Sequence, residues 1–329
     1  MKRRTLFGLL AAVAAVAAAQ FCASAALAQQ DYPSKPIKLI VPFPPGGISD
    51  TISRAIGSHL QTAFGQPVVV DNRPGAGGNV GLGAAAKSPS DGYTIALGAT
   101  TNLAVSPFLY KGLNFDARKD LTPVAMIGTI PNVLIINKSI PANNLKEFVA
   151  YLKANPGAVN FASPGAGNSS HLSGEMFKQR MGVDIRHVPY KGDPPALTDL
   201  VGGHVQMMFA TVGTALPHIK TGAVKALVVA GPNRSAALPG VPSMADLQIE
   251  NFDTDAWFGI VVPAGTPAAI VAKLNQAVNA AVNDPDINAR LVGMGLRPST
   301  MSSAAFAGYV QHESVKWGQL VQLSGATVD

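Results

Sequence analysis

Cysteine is almost missing from this chain of 329 residues; the single thiol is Cys22. Charged residues make up 13% and aromatic residues 6%, with only two tryptophans. Cys22 itself lies in a leader. MKRR is basic, Leu6 to Ala19 is apolar, and Ala26-Leu27-Ala28 has the A-x-A form of a cleavage site. Residues 1–28 therefore read as a secretory signal peptide cut after Ala28. The apolar run is shorter than the ~20 residues of a membrane span, and Ala19-Gln20-Phe21 makes a poor lipobox. The mature chain then has no thiol, which excludes disulfides, thiolate metal sites and a cysteine nucleophile. No later apolar stretch is long enough to span a bilayer. Loss of Lys2, Arg3 and Arg4 takes the 25 basic residues to 22 against 19 acidic ones, so the formal charge falls from +6 to +3. So mild a balance argues against nucleic acid or an anionic membrane as partner. An exported protein is expected.

Catalytic signatures are missing too. There is no G-x-S-x-G; Phe161-Ala162-Ser163-Pro164-Gly165 lacks the first glycine. HESVK at 312–316 has Lys316 where a zinc helix needs its second histidine. Six histidines are scattered without ligand spacing. Gly75-Ala76-Gly77-Gly78-Asn79-Val80 misses the third glycine of a dinucleotide loop, and Gly81-Leu82-Gly83-Ala84-Ala85-Ala86 follows no strand directly. No cofactor, metal or catalytic residue is expected.

What is present is an alternation of strands and helices. Ile37–Val41 is a continuous apolar strand, followed by Ile52, Ala55, Ile56, Leu60 and Phe64 at helical spacing until Gly65. Strands at 68–70 and 93–97 complete a βαβαβ unit. A second run starts near residue 133, with strands at 133–136, 159–162, 185–188, 205–210 and 224–230. Trp257–Val262 then looks like a strand returning to the first unit. Length and pattern together imply two domains.

One device recurs. VPFPPGGISD (41–50) and FASPGAGNSSH (161–171) are each a strand, a Gly/Pro loop, small polar residues and a helix. A helix start carries unpaired N–H donors and partial positive charge, and glycines let an oxyanion approach closely. Ser49 or Asp50 can cap the first helix, and Asn168, Ser169 or Ser170 the second. Ligands of open α/β sheets sit at carboxyl ends of strands, which adds Thr100, Thr101 and Asn102 after one strand and Phe209, Ala210 and Thr211 at another. His171 either donates to a carboxylate or is bonded to backbone. Lys191 supplies a positive charge or is simply solvated. Phe43 and Phe209 are apolar walls or core.

Taken in order, PIKLIVPFPPGGISD, VVVDNRPGAGGNVG, SPSDGYT, ANPGAVNFASPGAGNSSHL, HVPYKG…PALTDLVGGHV, LPGVPSMADL and WFGIVVPAGTP resemble the Bug family. These are periplasmic substrate-binding proteins of tripartite tricarboxylate transporters, and the likeness covers essentially the whole mature chain. The resemblance implies an α/β, two-lobed periplasmic-binding-protein fold, each lobe a mostly parallel sheet flanked by helices. Lobe 1 would be 29–133 plus 256–329 and lobe 2 134–255, with two chain crossings and a ligand cleft between. It carries a carboxylate-binding role onto Gly46, Gly47 and Ser49, and onto Ser163, Gly165, Ser169, Ser170 and His171. Asn168 stands where a serine is more usual, and Pro164 occupies a variable position. Residues 100–102 and 209–213 would meet the far end of the ligand.

The expectation is an exported, non-enzymatic protein that binds a small organic acid and delivers it to membrane transporter subunits. An amino acid would want a carboxylate for its ammonium; Asp50, Asp193 and Asp255 are the candidates and none stands out. A dicarboxylate or aromatic acid is therefore the leaning. Two rivals remain: a sensor component docking on a signalling receptor, and a hydrolase or isomerase using His171 with Ser169 or Ser170.

Overall fold

The computed structural model describes residues 32–326 and 328; the signal peptide read at 1–28 lies outside them. Along β1 (Ile37–Val41), Ile37, Leu39 and Val41 enter one core and Ile40 another, because successive strand side chains point to opposite faces. The same alternation in β5 (Asn132–Asn137) sends Leu134 and Ile136 to one side of a second sheet and Val133 and Ile135 to the other. Each sheet is thus buried on both faces, with helices as the outer layers.

The first sheet has the order β11-β4-β10-β3-β1-β2. Here β2 is Val68–Asn72, β3 Thr94–Ala99, β4 Leu121–Ile130, β10 Ala256–Pro263 and β11 Arg297–Pro298. The second has the order β7-β6-β8-β5-β9, with β6 Val159–Ser163, β7 Ile185–Pro189, β8 Met207–Thr211 and β9 Val224–Ala230. The helices, in chain order, are α1 (Ile48–Phe64), α2 (Asn79–Ala86), α3 (Ser106–Leu109), α4 (Ala117–Asp120), α5 (Leu145–Ala154), α6 (Ser169–Met181), α7 (Asp193–Gly202), α8 (Val212–Lys220), α9 (Ala268–Asn283), α10 (Pro285–Gly293) and α11 (Ser303–Ser324).

Two lobes of α/β type are present, but their sheets are mixed and not mostly parallel. β1 lies parallel to β2 and β3, while β10 runs antiparallel to β3 and β4. β6 lies parallel to β7 and β8, while β5 runs antiparallel to β8 and β9. The cause is the connection. The chain leaves the first sheet along β4, crosses at Pro131 into β5, and returns through 252–255 into β10. Asn132 and Val133 already pair with Thr211 and Ala210 in the second sheet, so the outgoing crossing precedes the expected boundary at 133. β4 escapes a sequence reading because Pro123 sits within it, a residue that argues against a central strand.

The crossings are pinned by buried polar contacts. Glu313 of α11 accepts from both indoles, Trp257 Nε1 at 3.0 Å and Trp317 Nε1 at 2.9 Å, and pairs with Lys316 Nζ at 2.9 Å. Trp257 lies in β10 just after the return crossing. Leu320 of α11 packs against cores of both sheets, so the last long helix bridges them.

Close helix–sheet approach in the second lobe depends on Gly174 of α6, where an added methyl would overlap the Phe161 ring of β6. Gly174→Ala should destabilise the protein by about 1–3 kcal/mol, the usual range for overpacking, read from the urea midpoint.

Candidate functional site

β1 ends at Val41 and the chain turns through Pro44, Pro45 and Gly46, whose φ of +83° is costly for any residue with a Cβ. Gly47 is the N-cap of α1 and no side chain caps it. The first N–H groups of this helix therefore have no partner within it. Ser49 does not cap; it lines the pocket described below. Nor does Asp50. Its carboxylate faces its own lobe, accepting from Gly46 N–H at 3.1 Å, Arg54 Nε at 3.0 Å and Asn72 Nδ2 at 3.0 Å. Burial raises its pKa, but hydrogen bonds from Arg54, Gly46 and Asn72 outweigh that and leave it below the ordinary value.

The second device starts α6. Asn168 caps this helix, its Oδ1 accepting from His171 N–H at 2.9 Å. The amides of Ser169 and Ser170, ahead of that cap bond, have no intrahelical partner. Both side chains line the pocket, and the buried Ser170 hydroxyl has no partner among the described residues.

Between the two helix starts lies a pocket of about 90 Å³. α1 and its loop contribute Phe43, Pro44, Gly47, Ile48 and Ser49; the α6 side contributes Pro164, Asn168, Ser169 and Ser170. Its floor is the edge where strands of both sheets end: Ala99, Thr100 and Thr101 after β3, Thr211 at the end of β8, Asn132 opening β5, and Ala256 and Phe258 opening β10. Gly192, Asp193 and Pro194 close it at the start of α7. A wider vestibule of about 450 Å³ adjoins it, sharing Gly47, Ile48, Asp193 and Pro194 and adding Gly46, Thr51, Gly213, His218 and Met294.

Ten of the residues expected at the site thus line one space: Phe43, Gly47, Ser49, Thr100, Thr101, Pro164, Asn168, Ser169, Ser170 and Thr211. Five do not, each for a visible reason. Gly46 supplies only the turn and the vestibule wall. Asn102 folds back, its Oδ1 accepting from Ala99 N–H at 2.9 Å. Ser163 is fully buried behind the loop, donating to the Gly165 carbonyl at 2.8 Å and 2.6 Å from His187 Nε2. Gly165, with φ +146°, shapes that turn. His171 accepts from Gly167 N–H through Nδ1 at 3.0 Å and stacks on His187 with ring centres 3.8 Å apart. Burial, and then the neighbouring His171, pushes the His187 pKa down to about 3. His171 is therefore a loop support and not a base for Ser169 or Ser170. Phe209 is core.

Sequence reasoning missed Asn132, Ala256 and Phe258. The rule of strand carboxyl ends fails for β5 and β10 because they run antiparallel to β8 and β3. Their first residues, not their last, reach the ligand edge. Asn132 is fully buried. Its Nδ2 donates to the Thr254 carbonyl at 2.8 Å, and its Oδ1 has no partner.

Electrostatically the pocket is unusual. No lysine, arginine or histidine lines it, Lys191 included, and the one charged side chain is an acid, Asp193. Burial pushes the Asp193 pKa up to about 6. Because the folded value exceeds the ordinary 3.8, the folded state holds an extra proton between the two. Its charge therefore costs stability above about pH 6, and the cost fades as pH falls toward 3.8. Asp193→Asn should raise the Tm of the ligand-free protein at pH 7.5, with the gain disappearing near pH 4 in melts across that range.

Asp50 and Asp255, the other acids considered, do not line the pocket. Asp255 is held by Arg297 at 2.8 Å. Among the described residues no group of three or more His, Cys, Asp or Glu could hold a metal ion. No helix there is long and apolar enough to cross a membrane.

Known proteins resemble this chain in sequence and fold. A profile described as "Tripartite tricarboxylate transporter family receptor" matches residues 52–326. Protein BugT of Bordetella pertussis is 38% identical over 304 residues, covering 92% of this chain and 93% of that one. The solved structure of Rpa4515 from R. palustris with adipate is 32% identical, with a TM-score of 0.87 over 90% of this chain and 99% of that one. That of MatC from Rhodopseudomonas palustris with bound malate is 34% identical, with a TM-score of 0.82 over 88% and 100%. These are solute-binding receptors of the periplasm and not enzymes. With this match along nearly its whole length, the chain belongs to the tripartite tricarboxylate transporter receptor family, alongside the Bug proteins it resembles.

Proposed function

We propose that this chain is an exported periplasmic solute-binding protein that closes two lobes over a small organic carboxylate and hands it to the membrane subunits of a tripartite tricarboxylate-type transporter. The observation that carries this reading is the pair of helix starts, one from each lobe, lining one pocket with the buried Ser170 hydroxyl free to donate. Each helix start offers about half a positive charge and a set of unpaired amides. A carboxylate between them gains from both only when the lobes are together, which couples binding to closure. The adipate and malate held by Rpa4515 and MatC are small carboxylates of the kind such a site suits. Export follows from the leader at 1–28, with cleavage proposed after Ala28.

Closure brings α8 against the segment after α10. A methyl on Gly213 would overlap the Met294 carbonyl, and Gly213 sits in ordinary helix, so substitution there strains the contact between lobes and not its own backbone. Gly213→Ala should weaken the binding of a carboxylate ligand roughly tenfold or more by propping the lobes apart, a cost of about 1.4 kcal/mol.

The direct test is a thermal-shift screen of small carboxylates against the mature chain, followed by titration with tryptophan fluorescence as readout. The backbone N–H of Trp257 donates to Thr100 Oγ1 in the pocket wall at 2.8 Å, while its indole packs on the opposite face against Glu313, so its emission would read closure at the crossing and not contact with the ligand. A ligand at 100 times its Kd raises stability by about 2.7 kcal/mol. Ser170→Ala should cost about 1 kcal/mol of affinity, the worth of one neutral hydrogen bond. A full screen of carboxylates with no shift would overturn the reading.

A further inference from the structure

Two groups in the pocket have no use in holding a carboxylate. Asn132 Oδ1 is a hydrogen-bond acceptor, fully buried and without a partner. Asp193 makes no ion pair and no hydrogen bond among the described residues, and its Oδ2 stands 3.8 Å from the place a Cβ on Gly47 would take, beside the start of α1. A buried acceptor left unpaired is destabilising, and a carboxylate partly withdrawn from water favours a matching cation. The donors in the same pocket, by contrast, are neutral hydroxyls and helix amides, and no basic side chain lines it.

We propose that the ligand carries a protonated amine as well as a carboxylate, and that Asp193 is the residue that selects for it, with Asn132 Oδ1 accepting one of the amine's hydrogens. The inference rests on the carboxylate-binding reading and narrows it to amino acids and other amino-substituted acids. Charge accounting favours this class over a dicarboxylate. Of the three helix starts on the pocket, that of α7 carries Asp193 itself and has Pro194 and Pro195 where free amides would stand. The starts of α1 and α6, about half a charge each, are left to match a single carboxylate, and a second carboxylate would meet Asp193 in a pocket with no basic side chain. A ligand hydroxyl would satisfy Asn132 and leave Asp193 unmatched. A quaternary ammonium would match Asp193 and leave Asn132 without a hydrogen. The protonated amine answers both. The vestibule beyond Asp193 contains one further titratable group, His218, and otherwise neutral side chains. A side chain of the ligand has room to extend there.

The test uses the mature chain and calorimetric titration with paired acids that differ by one amino group. The common L-amino acids, β-alanine and 4-aminobutanoate are each set against the same acid lacking the amine. At least one amine-bearing member should bind roughly tenfold or more tightly than its partner, the size of one well-matched charged contact. Asp193→Asn should reverse that order, weakening the amine-bearing acid and tightening its deaminated partner by removing a repelling charge. The partner's binding also shows that the variant is folded. Deaminated acids binding the unaltered protein as tightly as, or more tightly than, their amine-bearing counterparts in every pair would sink the inference while leaving carboxylate capture intact. Equal changes in both members on Asp193→Asn would do the same. Binding by no acid of either kind would remove the carboxylate reading and this inference together.

Discussion

Asn132 holds the place where the two lobes meet. Its Nδ2 ties the outgoing strand to the returning one through the Thr254 carbonyl, and Ser173 Oγ donates to Thr254 Oγ1 at 2.6 Å beside it. This fastening is buried, so its bonds face no competition from water and leaving one unmade would be expensive. Because the crossings are fastened here, β5 and β10 begin at the edge where β3 and β8 end. Every wall of the pocket follows from that shared edge. Asn132 also lines the pocket and its oxygen has no partner among the described residues, so the fastening and the site share one residue.

The grip works by shape and dipole more than by formal charge. α1 has no side-chain cap and α6 is capped at His171, which leaves amides and hydroxyls at both starts for a guest. Neutral donors of this kind are made useful by enclosure, since hydrogen bonds strengthen as the local dielectric falls. Behind α6 the stacked imidazoles of His171 and His187, with Ser163, brace the loop that carries Pro164 and Asn168. In the proposed function those residues would act on the ligand only by holding the loop. Beyond the pocket, Glu313 joins both indoles to α11, and that helix packs on both cores. The lobes are therefore fastened at the crossings, and at the vestibule they meet through the close approach of Gly213 to Met294.

Much of the local structure could be read from residue patterns. Ile37–Val41, Ser169–Met181 and Val224–Ala230 are found where their apolar spacing puts them, because these segments obey one period throughout. β4 could not be read this way, since Pro123 and an uneven burial pattern mask a strand whose neighbours alone stabilise it. The two helix-start devices were legible because glycine, proline and small polar residues have a local backbone reason to cluster there.

Within those devices, which side chain faces the ligand was not legible. Ser163, His171 and Asn102 have the chemistry of ligand contacts, yet each turns a polar atom to its own loop: Ser163 Oγ to the Gly165 carbonyl, His171 Nδ1 to the Gly167 N–H and Asn102 Oδ1 to the Ala99 N–H. Amino-acid order by itself determined the alternation of elements, the two loop–helix devices and the confinement of the single thiol to Cys22, ahead of the first strand. The tertiary structure alone decided that the devices share one pocket, that Asn132 belongs to it, and that Asp193, not Asp50 or Asp255, stands there without a partner. The reason is that local spacing sets backbone conformation, whereas the direction of a strand that leaves one sheet and enters another depends on contacts far apart along the chain.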